Sequence, residues 1–400
     1  MRSSLLLAAL LWPSQAWAAL VTARAAPLPI SQSPVPNVPL TPGPALTSLP
    51  GSATTLAPSL IPALAPPSLS LDAPEAPQAA QATVAPQASF FFNDHDASSA
   101  YAQALKGFVE RHDEILVEMA KPGRELSLYQ AVSDGKLTPA AARRKLHVRA
   151  GTVESAILEA VHGTQRAMRA EAIHYPENSE ARRRIDEELV PKAGLLLEQA
   201  YGEFMEDADA KASAKTLHRF NTVMVEVHTL REEALVADLS ARLRQPGSVG
   251  VVFGSFHTQP YQALKRAGFR VAREFHPAGK DGGMTFSPMI NPLRRIRFDK
   301  PSRNQELETK ETLSFLLFHF FLDPLFRMDR FAARKDEVES AILSRMSVKD
   351  FQRLADEASS YAAEKADAEI GDRRIALHIL RWLGEEGFLK PEEAGFFRRR

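Results

Sequence analysis

The stretch Ser89-Phe90-Phe91-Phe92-Asn93-Asp94-His95-Asp96, the segment after it, and Glu114-Ile115-Leu116-Val117-Glu118-Met119 decide the fold. The first apolar run is short, uninterrupted and aromatic, which fits a strand buried on both faces. Ser98-Ser99 then open a helix in which Ala104, Leu105, Phe108 and Val109 recur at helical spacing. The second apolar run reads as another strand and ends in a carboxylate. Strand, polar loop, helix and strand within about thirty residues make a βαβ unit with parallel strands. Ligands of such units bind outside the carboxyl ends of the strands. Asp94 and His95 follow the first strand and Glu118 closes the second, so all three are expected at one crevice.

A second unit of the same kind follows. The helical segment Leu230 to Leu243 is stopped by Pro246-Gly247, and Val249 to Phe253 reads as a strand. Gly254-Ser255-Phe256-His257-Thr258 forms the loop, Gln259 to Ala267 a helix that Gly268 ends, and Phe269 to Phe275 the next strand. His257 thus repeats the topological position of His95. Gly254 permits a sharp turn, and the helix start directs backbone donors at a ligand. The expected fold class is α/β, a parallel or mixed sheet flanked by helices.

Simpler readings stand beside these. A histidine after a strand is more often a capping or packing residue, and Glu118 can pair locally with Lys121 or Arg124. Arg231-Glu232-Glu233 also reads as a solvated helix face. His112 is expected at an exposed helix end, and His162 at a helix end with Gly163 as its stop. Glu226 and His228 share a face only in a strand, and they rank second as site residues. No H-E-x-x-H, G-x-S-x-G or G-x-x-x-x-G-K signature occurs.

The flanks carry address and linker rather than chemistry. Met1-Arg2, the apolar run Leu5 to Trp12 and Ala16-Trp17-Ala18 have the layout of a secretory signal peptide. They imply Sec-type export to the periplasm or beyond, with no membrane span left after cleavage. From 19 to 88 the chain holds 15 of its 28 prolines, and Arg24, Asp72 and Glu75 are its only charges there. That composition reads as a disordered, extended tether. Beyond Asp281-Gly282-Gly283 and a loop with Arg294, Arg295 and Arg297, the pattern becomes helical to the end. The Phe-rich run from Phe315 to Leu322 is too short for a membrane span and reads as a buried helix, or else as a face for a membrane surface or partner. The expected division is 1–18 signal peptide, 19–88 Pro/Ala-rich tether, 89–295 α/β domain and 296–400 helical region.

Composition narrows the function. With 49 basic and 49 acidic residues the formal charge is zero, which argues against nucleic-acid binding. The absence of cysteine excludes thiolate metal sites, iron–sulfur clusters and a thiol nucleophile. Phe91 to Asp96 with Ile115 to Glu118, and Arg231-Glu232 with Val251 to Thr258, resemble a bacterial group with Asp-Ala-His and Gly-Gly-Phe-His-Thr elements. The layout is similar to the superfamily of TraB/GumN proteins, TIKI-type proteases, haem-binding ChaN proteins and erythromycin esterases. Here Asp94 and His95 are adjacent, Ser255 replaces a glycine, and Met119 replaces another.

The resemblance implies a hydrolase acting on a small molecule or peptide. His95, Glu118, Arg231 and His257 would be its catalytic residues, with Asp94, Gly254 and Glu232 in binding roles. Two histidines and a carboxylate, His95, Glu118 and His257, can also hold a divalent metal with an open position for water. Without metal, His95 oriented by Glu118 is a base, and Arg231 holds a substrate carboxylate or developing charge. The alternative is an exported ligand- or haem-binding protein that uses the same crevice without catalysis.

Overall fold

The computed structural model describes residues 87–93, 99–118, 120–148, 152–254, 256–276, 288–298, 304–327, 334–365 and 373–398. The expected signal peptide, the tether up to residue 86, and Asp94 and His95 lie outside them. Five strands form one parallel sheet: β1 (Ala88–Asn93), β2 (Glu114–Val117), β3 (Ala167–Arg169), β4 (Val249–Gly254) and β5 (Val271–His276). Their order is β3-β2-β4-β1-β5. The three strands read first from the sequence are therefore adjacent members of one sheet. Gln87 and Ala88, expected in the tether, belong to it: Ala88 pairs with Val249 and Val271, and the Gln87 side chain donates to the Leu243 carbonyl.

Helices cover both faces. On one side α1 (Ser99–Val109), α2 (Arg124–Ser133), α3 (Pro139–Leu146) and α4 (Val153–Val161) pack on Phe91, Ile115, Val117 and Val252. The chain then passes through α5 (Ser179–Arg183), α6 (Val190–Met205) and the long α7 (Ala210–Arg242). On the other side α7, through Leu235, Leu239 and Leu243, and α8 (Gln259–Arg266), through Tyr261 and Leu264, pack on Phe90, Phe92, Leu116, Val251 and Phe253. Alternate residues of β1 and β4 thus serve different cores, which is why both strands read as continuous apolar runs. Phe90 and Phe92 are fully buried with rings stacked at 5.5 Å, each worth about 1.5–3 kcal/mol of burial.

Helix α7 begins twenty residues before the sequence reading placed it, at Ala210, where Asp209 accepts from the amides of Lys211 and Ala212. At 33 residues it is about 50 Å long. Its carboxyl-terminal third lies on the sheet. The rest joins a second core with α6 and with the helices α9 (Asn291–Arg297), α10 (Gln305–Ser314), α11 (Lys335–Arg345), α12 (Val348–Glu364) and α13 (Arg373–Glu385), into which residues 313–397 contribute most. The Phe-rich run Phe315–Leu322 continues α10 as a wider π-helical turn, with Leu316, Leu317, Phe318, Phe320, Phe321 and Leu322 buried in this core. Among the described residues no helix is long and apolar enough to cross a membrane.

The helical setting of Glu226 and His228 and the burial of His112 both bear on the sequence reading. Glu226 and His228 lie in α7, where residues two apart face different ways: Glu226 pairs with Arg184, while His228 turns toward the strand ends. His112 is buried, not exposed, because its ring packs on Phe108 at 4.5 Å and its Nδ1 bonds the Phe108 carbonyl.

Candidate functional site

The chain leaves β2 toward the outer strand β3, and leaves β4 in the opposite direction, past β1, to reach β5. Diverging connections open a crevice between the carboxyl ends of β2 and β4. Glu118 stands at one wall, and Gly254 to His257 form the other. Helix α7 rises past the same ends, so Arg231 and Glu232, one turn above its sheet-packing leucines, overhang the opening.

The side chains close into a network. Glu118 accepts from the Gly254 amide at 2.7 Å and from Arg231 Nη2 at 3.0 Å. Its Oε1 also lies 3.4 Å from His257 Nε2. Arg231 grips Glu171 with two nitrogens, Nε at 2.7 Å and Nη2 at 3.0 Å. Glu171 follows β3 and is 1% exposed; its amide donates to the Ala120 carbonyl, tying the β3 exit to the β2 exit. On the far side His257 Nδ1 meets Glu232 Oε1 at 2.8 Å, and Arg297 of α9 closes on the second Glu232 oxygen. Arg297 also lies over the Phe256 ring, 5.4 Å from its centre. Three carboxylates (Glu118, Glu171, Glu232) thus face three cations (Arg231, Arg297 and a protonated His257), so the cluster is neutral overall.

Burial alone would push His257 down, but Glu118 and Glu232 outweigh it and raise the group to about 9. It is an imidazolium at neutral pH. Burial would raise Glu118, yet His257, Arg231 and the Gly254 amide hold it well below the usual carboxylate range. Arg231 is kept charged, above its ordinary value, by Glu171 and Glu118 against the cost of burial. Glu118 is the reachable member: its side chain is 18% exposed, against 7% for Arg231 and 4% for His257.

The structure therefore brings together Glu118, Arg231, Glu232, Gly254 and His257. Gly254 contributes its amide as the donor that fixes Glu118. Asp94 and His95 lie outside the described residues; Asn93, just before them, pairs in register with Gly254. Arg231 is committed to two carboxylates rather than free for a substrate. The reading of Arg231-Glu232 as a solvated helix face does not hold, since they are 6% and 3% exposed. Sequence reasoning missed Glu171 and His174 and left Arg297 in a loop. The strand before Glu171 is three residues long and includes Arg169, too short to show a pattern. His174 keeps a buried Nδ1 without a hydrogen-bond partner, and burial lowers its affinity for a proton.

The donor set was expected to suit a divalent metal. Of that set, Glu118 and His257 stand together, with Glu118 Oε1 3.4 Å from His257 Nε2, and His95 lies outside the described residues. Among the described residues no cluster of three or more His, Asp or Glu is disposed to hold a metal ion. Comparison of the chain with protein-family models, curated proteins and solved structures gave no match.

Proposed function

We propose that the crevice between β2 and β4 is the active site of an exported hydrolase that works by His/Glu acid–base chemistry. The observation that carries this reading is the meeting of Glu118 and His257, from the ends of two adjacent parallel strands, at 3.4 Å in the mouth of the crevice. His257, charged at neutral pH, supplies its Nε2 proton to a leaving group as general acid. Glu118 and Glu232 hold its ring by opposite nitrogens, which fixes its orientation. Arg231, braced by Glu171, holds Glu118 ionised and in place and acts as a positioning residue. Held ionised by His257, Arg231 and the Gly254 amide, Glu118 serves this electrostatic part.

A test uses the purified full chain with chromogenic ester, amide and phosphate substrates, with and without a chelator. Glu118→Gln and His257→Gln should each lower kcat by about 100-fold or more, with unchanged circular dichroism and no chelator effect. Turnover that survives both substitutions would count against the reading. One observation favours binding without catalysis: the carboxylates and Arg231 already satisfy one another, as in a structural brace. A bound haem would show itself in the visible absorbance of the purified protein.

A further inference from the structure

His228 is the part of the crevice that the network leaves out. It lies one helical turn before Arg231 on α7, so both side chains leave the same face. Its ring packs 4.7 Å from Phe256 and meets the ring of His257 edge-on at 4.9 Å. His257 has a carboxylate at each nitrogen, whereas the buried Nδ1 of His228 has no hydrogen-bond partner. Buried polar atoms in folded proteins are nearly always paired, so an unpaired imidazole nitrogen beside a reactive cluster calls for a reason. Unlike His257, His228 keeps part of its surface open.

We propose that His228 is the proton acceptor of this crevice, the base that works opposite the acid His257. The inference rests on the hydrolase reading for its reaction, but not for the state of the ring. The charged groups that weigh most on that state are His257 from the β4 loop, Arg231 from its own helix, Glu118 from the end of β2 and Arg297 from α9. Burial and the cations His257, Arg231 and Arg297 outweigh Glu118 and hold His228 neutral, well below the ordinary histidine value. Two imidazoles in contact, one kept charged and one kept neutral, are a ready acid and base.

In the reaction, water gives a proton to His228 as its oxygen bonds to the electrophilic atom of the substrate. The scissile bond breaks, and the leaving group takes the Nε2 proton of His257. One proton passing through solvent from His228 to His257 restores both rings, so only water and the scissile bond are consumed.

The experiment treats the full-length protein at pH 6 with diethyl pyrocarbonate, which acylates neutral imidazole nitrogens, and maps the adducts by peptide mass spectrometry. His228 should be labelled together with the exposed His147, and His257 should not. In parallel, p-nitrophenyl acetate turnover should fall about 100-fold or more in His228→Gln and in His228→Ala, with added imidazole restoring part of it only in the alanine variant. A His228 left unlabelled while His147 reacts would overturn the proposal. So would undiminished turnover in both variants, and in that case the hydrolase reading would stand. Labelling of His228 in a protein that turns over none of the ester, amide and phosphate substrates would remove the hydrolase reading and keep His228 as the crevice's neutral acceptor.

Discussion

At the scale of single residues, His257 and His228 give stability a pH dependence of opposite sign. In the unfolded chain both titrate near 6.5. Folded His257 keeps its proton to about 9, so its stabilising contribution is complete below 6.5 and drains away as pH rises from 6.5 to 9. Folded His228 refuses a proton that the unfolded chain takes up below 6.5, so stability also falls as pH drops from that point. The unfolding free energy should therefore peak near pH 6.5, with each contributing histidine adding at most about 1.4 kcal/mol per pH unit to its limb. Urea unfolding from pH 5 to 9.5 measures both limbs. His257→Gln should flatten the alkaline limb, and His228→Gln should soften the acid limb, to which buried His112 and His174 also contribute. Unchanged limbs in both variants would mean that the two rings do not titrate as their surroundings dictate.

At the scale of elements, β4 shows what the sequence could and could not reveal. Val249 to Phe253 announced itself by its valines, and β1 and β2 by unbroken apolar runs, because strands covered on both faces have no polar side. Gly250, among the valines of β4, is where α1 closes on the sheet. A Cβ there would lie 2.8 Å from Ile115 Cδ1, 2.9 Å from Phe108 Cε1 and 3.1 Å from His112 Cγ. Gly250→Ala should cost about 1–3 kcal/mol through overpacking, read as a lower urea midpoint with an unchanged slope. A neutral effect would show that α1 is not seated on β4 at that point. The histidine and glutamate closing β4 and β2 were legible because parallel-sheet topology places them. Glu171 was not, since β3 is too brief to register and the partner that explains it, Arg231, lies sixty positions away in sequence. Arg231 and Glu232 looked solvated because a charged triplet in a helix says nothing of a distant layer folding over it.

At the scale of the whole molecule, the site lies where α7 passes from the sheet into the helical core, with apolar packing on both sides of a charged cluster. That seam comes from the chain order β3-β2-β4-β1-β5, which opens the crevice between the strands bearing Glu118 and His257. The backbone and side chain of Gln87, the first of the described residues, bond to Arg270, Val249 and Leu243. Limited proteolysis should accordingly trim the protein, through its proline-rich segment, to a stable fragment beginning near Gln87. A resistant fragment that retains residues well before this point would show that the composition of 19–86 was misread.

The most direct test of the convergence of Glu118 and His257 needs no substrate. Histidine side-chain nitrogen shifts in ¹⁵N-labelled protein, followed from pH 5 to 10, report the charge on His257. The expected result is an imidazolium at pH 7.5 that titrates near 9, and that titrates at clearly lower pH in Glu118→Gln. A neutral His257 at pH 7.5, or a titration that Glu118→Gln leaves in place, would contradict the pairing on which the site is built.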